Sequence, residues 1–126
     1  MTIAPSTPTA IAGAFLDTVA RKPDAVAVRT LDGEVSYTWS ALAARGAVAA
    51  GVLRARGVRP GDTVALLLTN RPELWVADLA VTMCGATTCP LYSTLPPNEV
   101  EYIVADAGAR LVVTERALLD ATRDVA

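Results

Sequence analysis

Few residues of this chain are of the types that do covalent or acid–base chemistry, and their placing narrows the function at once. There is no histidine, which removes Ser–His and Cys–His nucleophile pairs together with the commonest general base. Hydrolase chemistry of that kind is excluded. Two cysteines, Cys84 and Cys89, lie close together, but with no histidine and no further thiol to complete a zinc set they read as buried structural thiols. The carboxylates Glu99, Glu101 and Asp106 read as the solvated face of a helix rather than a catalytic pair. Lys22 is the single lysine and sits between Arg21 and Pro23.

Two short stretches remain as candidate ligand contacts. Thr69-Asn70-Arg71-Pro72 follows an apolar run and opens a helix, so it places an amide, a guanidinium and helix N–H groups where an anion could sit. An ordinary polar loop is the alternative. Tyr92-Ser93-Thr94 lies at the carboxyl end of a strand, where open sheets make ligand contacts; alternatively, Ser93 and Thr94 satisfy loop backbone groups ahead of Pro96. Neither stretch carries a glycine-rich phosphate turn. The glycines, at 13, 33, 46, 51, 57, 61, 85 and 108, include no G-x-G pair and no G-x-x-x-x-G-K-[ST] pattern.

The elements that must position these stretches follow from the apolar pattern. Pro60 to Leu95 is the clearest part. Thr63 to Leu68 is an unalternating apolar run, as in a strand covered on both faces. Pro72 and Glu73 suit the first turn of a helix, Gly85 suits its end, and Ala86 to Leu91 reads as the next strand. Upstream, Ile11, Phe15, Leu16 and Val19 form one face of a helix for which Thr9 is a cap. Ala25 to Thr30 and Glu34 to Tyr37 then make an antiparallel ribbon through Asp32-Gly33. Thr38 caps a helix from Trp39 to Arg56 whose inward positions are Trp39, Leu42, Gly46, Ala49 and Leu53. Downstream, Pro96 and Pro97 open a helix that buries Val100, Ile103, Val104 and Ala107 and ends at Gly108. Leu111 to Thr114 is a third parallel strand, and Arg116 to Ala126 begins a further helix through Leu118, Leu119 and Val125. The expected class is α/β, with parallel strands, crossover helices and a short antiparallel hairpin.

At 126 residues the chain has room for one core of moderate size. Residues 1–9 read as a flexible lead-in and 10–126 as the folded unit. The net charge of −2, without a basic block, gives no support to a nucleic-acid face. No apolar run reaches the length of a transmembrane segment, and Met1 to Thr9 lacks the positive charge of a signal peptide. A cytoplasmic location is expected, with peripheral membrane association as the alternative.

The order of these segments resembles the N-terminal part of the adenylate-forming superfamily, which includes acyl-CoA synthetases, peptide-synthetase adenylation domains and luciferases. Ser36 to Leu42 resembles an early family element. Gly61-Asp62-Thr63-Val64-Ala65 is similar to its G-D-x-V-A strand entry, and Asn70-Arg71-Pro72-Glu73 to its N-x-x-E helix entry. Gly85-Ala86 with Pro90-Leu91-Tyr92 resembles G-A-x-x-x-P-L-Y, and Tyr102-Ile103 with Asp106 to Ala109 matches the helix and strand that follow. The form around Pro90 to Leu95 and Glu99 to Ile103 is closest to bacterial long-chain fatty-acid CoA ligases.

The resemblance implies a fatty acid as substrate and ATP, magnesium and coenzyme A for the full-length family. It also implies an incomplete N-terminal subdomain, because the family's phosphate loop, magnesium-associated glutamate, ribose-binding aspartate and C-terminal lysine would lie beyond Ala126. No catalytic, cofactor-binding or metal residue is therefore carried over. The expectation is a truncated fatty-acid CoA ligase that is inactive alone. The missing C-terminal part, or a second copy meeting an exposed sheet edge, is its expected partner. The alternatives are a split piece complemented by a downstream chain, or a non-catalytic binding or assembly module.

Overall fold

A computed structural model describes residues 11–126; Thr9 and the lead-in 1–9 lie outside the described residues. The element order is α1 (Ile11–Arg21), β1 (Val26–Arg29), β2 (Ser36–Thr38), α2 (Trp39–Ala55), β3 (Thr63–Leu67), α3 (Pro72–Met83), β4 (Thr87–Leu91), α4 (Pro97–Ala107), β5 (Ala109–Thr114) and a 3-10 helix (Arg116–Thr122).

The centre is β3, whose residues Val64 to Leu67 are almost completely shielded from solvent. It pairs in parallel with β4 on one side, Thr63 opposite Thr87 through Leu67 opposite Leu91, and with β5 on the other. The spatial order is thus β4-β3-β5. Side chains of a strand alternate between faces, and here both faces are apolar. Val64, Leu66 and Leu68 pack on α2 and α3 through Ala50, Leu53, Ala77, Ala80 and Val81. Ala65 and Leu67 pack on α4 through Val100 and Val104, with Leu118, Ala121 and Val125 beside them. That double cover is why the run reads without polar alternation. A third cluster, Phe15, Leu42 and Leu79, joins α1 and the hairpin to α2 and α3.

The punctuation behaves as its chemistry requires. The Thr38 hydroxyl accepts from Ala41 N–H at 3.1 Å and caps α2. Pro72 occupies the first turn of α3, and Gly85 follows the helix at φ +72, where a Cβ would lie 3.2 Å from Pro60 Cβ. A side chain there meets both the left-handed penalty and a neighbour.

Four sequence expectations shift. The third strand begins at Ala109, two positions before Leu111, because a register irregularity places Arg110 between the pairs Thr63–Ala109 and Val64–Leu111. That charged residue breaks the apolar pattern, and it reaches sideways to Asp62. In α2 the fully buried alanine is Ala50, with Ala49 only partly covered. The hairpin is wider than a two-residue turn: Thr30 N–H donates to Val35 C=O and Gly33 N–H to Thr30 C=O, while the Asp32 carboxylate accepts from Glu34 N–H. The segment after β5 is a 3-10 helix rather than an α-helix. Its three-residue turn puts Leu118 and Ala121 on one face and leaves Leu119 exposed.

Candidate functional site

The crossovers after β3 and β4 run to opposite faces of the sheet, α3 to one and α4 to the other. Where adjacent strands send their connections in opposite directions, a crevice opens beyond their carboxyl ends. It is present here. A cleft of about 500 Å³ has Leu66, Leu68, Leu74 and Leu91 as its apolar floor and Thr69, Asn70, Tyr92 and Ser93 at its rim. Thr69 and Asn70 of one stretch singled out in the sequence thus meet Tyr92 and Ser93 of the other across one opening, while Arg71, Pro72 and Thr94 lie outside its lining. Tyr92 stands 82% exposed. The 92–95 turn closes through backbone, Leu95 N–H donating to Tyr92 C=O at 3.2 Å, rather than through the Ser93 or Thr94 hydroxyl.

The loop Thr69 to Arg71 is held by a residue the sequence did not mark. Glu115, just past β5, accepts from Thr69 N–H at 2.9 Å and from the Thr69 hydroxyl at 2.9 Å. Arg71 stands 3.6 Å from the same carboxylate and donates to Glu73 at 2.9 Å. Alongside, the Thr114 hydroxyl donates to Leu67 C=O at 2.8 Å. The Glu115 carboxyl is held below its ordinary value, first by the Thr69 amide and then by the Thr69 hydroxyl and Arg71. Glu73 is lowered chiefly by its bond from Arg71, and the Arg71 guanidinium is raised in turn.

The carboxylate against Thr69 N–H and Arg71 is the protein's own Glu115. With two carboxylates already on Arg71, a further anion gains little there. No local signal could have marked Glu115, because its partner Thr69 is 46 positions away in sequence. Only strand order β4-β3-β5 brings them together.

The remaining candidates fall apart spatially or chemically. Cys84 is buried and Cys89 partly so, both as free thiols, and the Cys84 thiol leans on Ala50 C=O at 3.5 Å. Glu99, Glu101 and Asp106 are exposed on α4. Among the described residues no group of three or more histidine, cysteine or carboxylate side chains could hold a metal ion. Lys22 ends α1 through a backbone bond to Thr18, away from the cleft.

The profile of the AMP-binding enzyme family matches residues 15–126. The chain belongs to that family. Among curated relatives it is 39% identical over 116 residues to an uncharacterized protein of Mycobacterium tuberculosis H37Rv, covering 92% of this chain and 66% of the relative. It is 33% identical over 114 residues to gramicidin S synthase 2 of Brevibacillus brevis, covering 90% of this chain and 2% of the synthase. Among solved structures, the N-terminal domain of FACL13 from M. tuberculosis superposes with a TM-score of 0.85 at 27% identity, over 94% of this chain and 31% of that one. The M. tuberculosis fatty acyl CoA synthetase gives 0.83 at 28% identity, over 93% and 24%.

Thus the chain spans just under two thirds of one relative and a small part of the other. The AMP-binding fold explains the parallel sheet and the antiparallel hairpin together, and the chain corresponds to the N-terminal portion of adenylate-forming enzymes. Among the described residues no helix is long and apolar enough to cross a membrane.

Proposed function

We propose that this chain is the scaffold portion of a fatty-acid CoA ligase and has no ligase activity by itself. The complete reaction joins a fatty-acid carboxylate to ATP with release of pyrophosphate, then passes the acyl group from AMP to the thiol of coenzyme A. The observation that carries the fatty-acid reading is the 0.83 TM-score superposition, over 93% of the chain, on a fatty acyl CoA synthetase.

Among the described residues we read no site built for magnesium or a nucleotide phosphate. The turn after β3 contains no glycine, Arg71 is already matched by Glu73 and Glu115, and no set of metal ligands forms among the described residues. What they supply is position. The sheet fixes the cleft, Glu115 holds the 69–71 loop, and Tyr92 and Ser93 present hydroxyls at the rim. Residues from further polypeptide would complete the reacting centre.

Fatty-acid-dependent exchange of labelled pyrophosphate into ATP tests this reading. The purified chain should give none, and appreciable turnover would overturn it. Addition of a polypeptide carrying the family's later segments should restore exchange with fatty acids. The similarity to gramicidin S synthase 2 favours a second reading, an adenylation scaffold for amino acids. Exchange restored by amino acids and not by fatty acids would select it.

A further inference from the structure

A second cavity, of about 380 Å³, lies between α1, the hairpin, α2 and α3, apart from the cleft at the strand ends. Its size suits a small molecule. Phe15, Trp39 and Trp75 line it together with Leu42 and Leu79, and Asp78 is the single charged residue of its lining. The Phe15 and Trp39 rings are 6.0 Å apart and tilted by 49°, so they form one aromatic wall. Trp75 and Asp78 are three apart on α3 and therefore share a face. Trp75 is 55% exposed, so its ring is open to a ligand. Among the described residues, the ion pairs bring no cation to Asp78.

These features select one charge type. Aromatic faces carry negative potential and attract cations, and a half-buried carboxylate beside them adds to that attraction. Anions are repelled by both. We infer that this cavity binds an amphipathic organic cation, a substituted ammonium group on a short hydrocarbon body, with the ammonium between Asp78 and the Trp75 ring and the hydrocarbon against Phe15 and Trp39. The fatty acid and the nucleotide of the proposed ligase reaction are both anions, so this site is distinct from that chemistry and does not depend on it.

The chain has two tryptophans and both line this cavity, so intrinsic fluorescence reports on it directly. The full chain is titrated with hexyltrimethylammonium, with hexanol and with hexanoate. A saturable change with the cation, and none with hexanoate over the same range, is expected. Asp78→Asn should weaken cation binding roughly five- to tenfold, the scale of one partly exposed charge and its cation–π partner, and leave hexanol unchanged. Trp75→Leu, which keeps an apolar wall but removes the ring, should weaken the cation more than hexanol, with Trp39 still reporting. Absence of saturation, equal binding of hexanoate, or a cation affinity untouched by both substitutions would overturn the inference.

Discussion

Glu115 is the residue on which the geometry of the strand ends turns, and its chemistry gives a pH dependence with a definite sign. Its side chain is 11% exposed, and its folded carboxyl is lowered by Thr69 and Arg71 from the ordinary value of 4.5. A lowered folded value means that the stabilisation is complete above about 4.5 and is lost as pH falls through the folded value. Urea midpoints measured from pH 7 down to 3 should therefore decline on the acid side. Glu115→Gln should flatten part of that decline, while an unchanged acid limb would show that the stabilisation lies elsewhere. Gly85→Ala should destabilise by about 1–2 kcal/mol, the cost of a left-handed L-residue, read by the same method. The glycine was legible in the sequence as a helix stop; Glu115 was not, because a carboxylate tying two strand ends leaves no local pattern.

At the scale of elements, α2 is informative because it is apolar nearly all round, unlike a simple amphipathic surface helix. Its two glycines behave oppositely. Gly46 is buried, and an added Cβ would meet Met83 Cε at 3.4 Å, whereas at Gly51 it would meet nothing within 4 Å. Gly51→Ala should therefore raise stability by about 0.5–1 kcal/mol through helix propensity alone. Thr38→Ala should lower it by about 1 kcal/mol through loss of the cap. Thermal unfolding of the two variants tests both signs. Helix starts were readable from Thr38, Pro72 and Pro97 because capping chemistry is local. The onset of β5 is not, since Arg110 enters the sheet at an irregularity set by pairing with β3, and the type of the last helix is hidden because Leu118 and Leu119 resemble an α-helical pair until the tighter turn separates them.

For the molecule as a whole, stability is concentrated in one strand with two covered faces. Leu66→Ala empties the α2–α3 side and Leu67→Ala the α4 side, and each should cost about 2–5 kcal/mol in denaturant unfolding. Among the described residues β4 and β5 each pair on one side only. Pro90 denies β4 one backbone donor, while β5 has no such interruption, so concentration-dependent self-association is expected through β5. Sedimentation over a dilution series checks this, and a monomer throughout would oppose it.

The spatial order β4-β3-β5 also has a meaning in time. The middle strand is made first, and both of its neighbours are still to come. Leu67 leaves the ribosome 47 residues ahead of Thr114, whose hydroxyl will bond its carbonyl. At about 5–20 residues per second, the most apolar run of the chain waits several seconds for its second flank. During that interval only Asp62 before it and Arg71 after it act as charged gatekeepers against premature pairing. The nascent chain is thus most vulnerable at the segment that becomes its most protected.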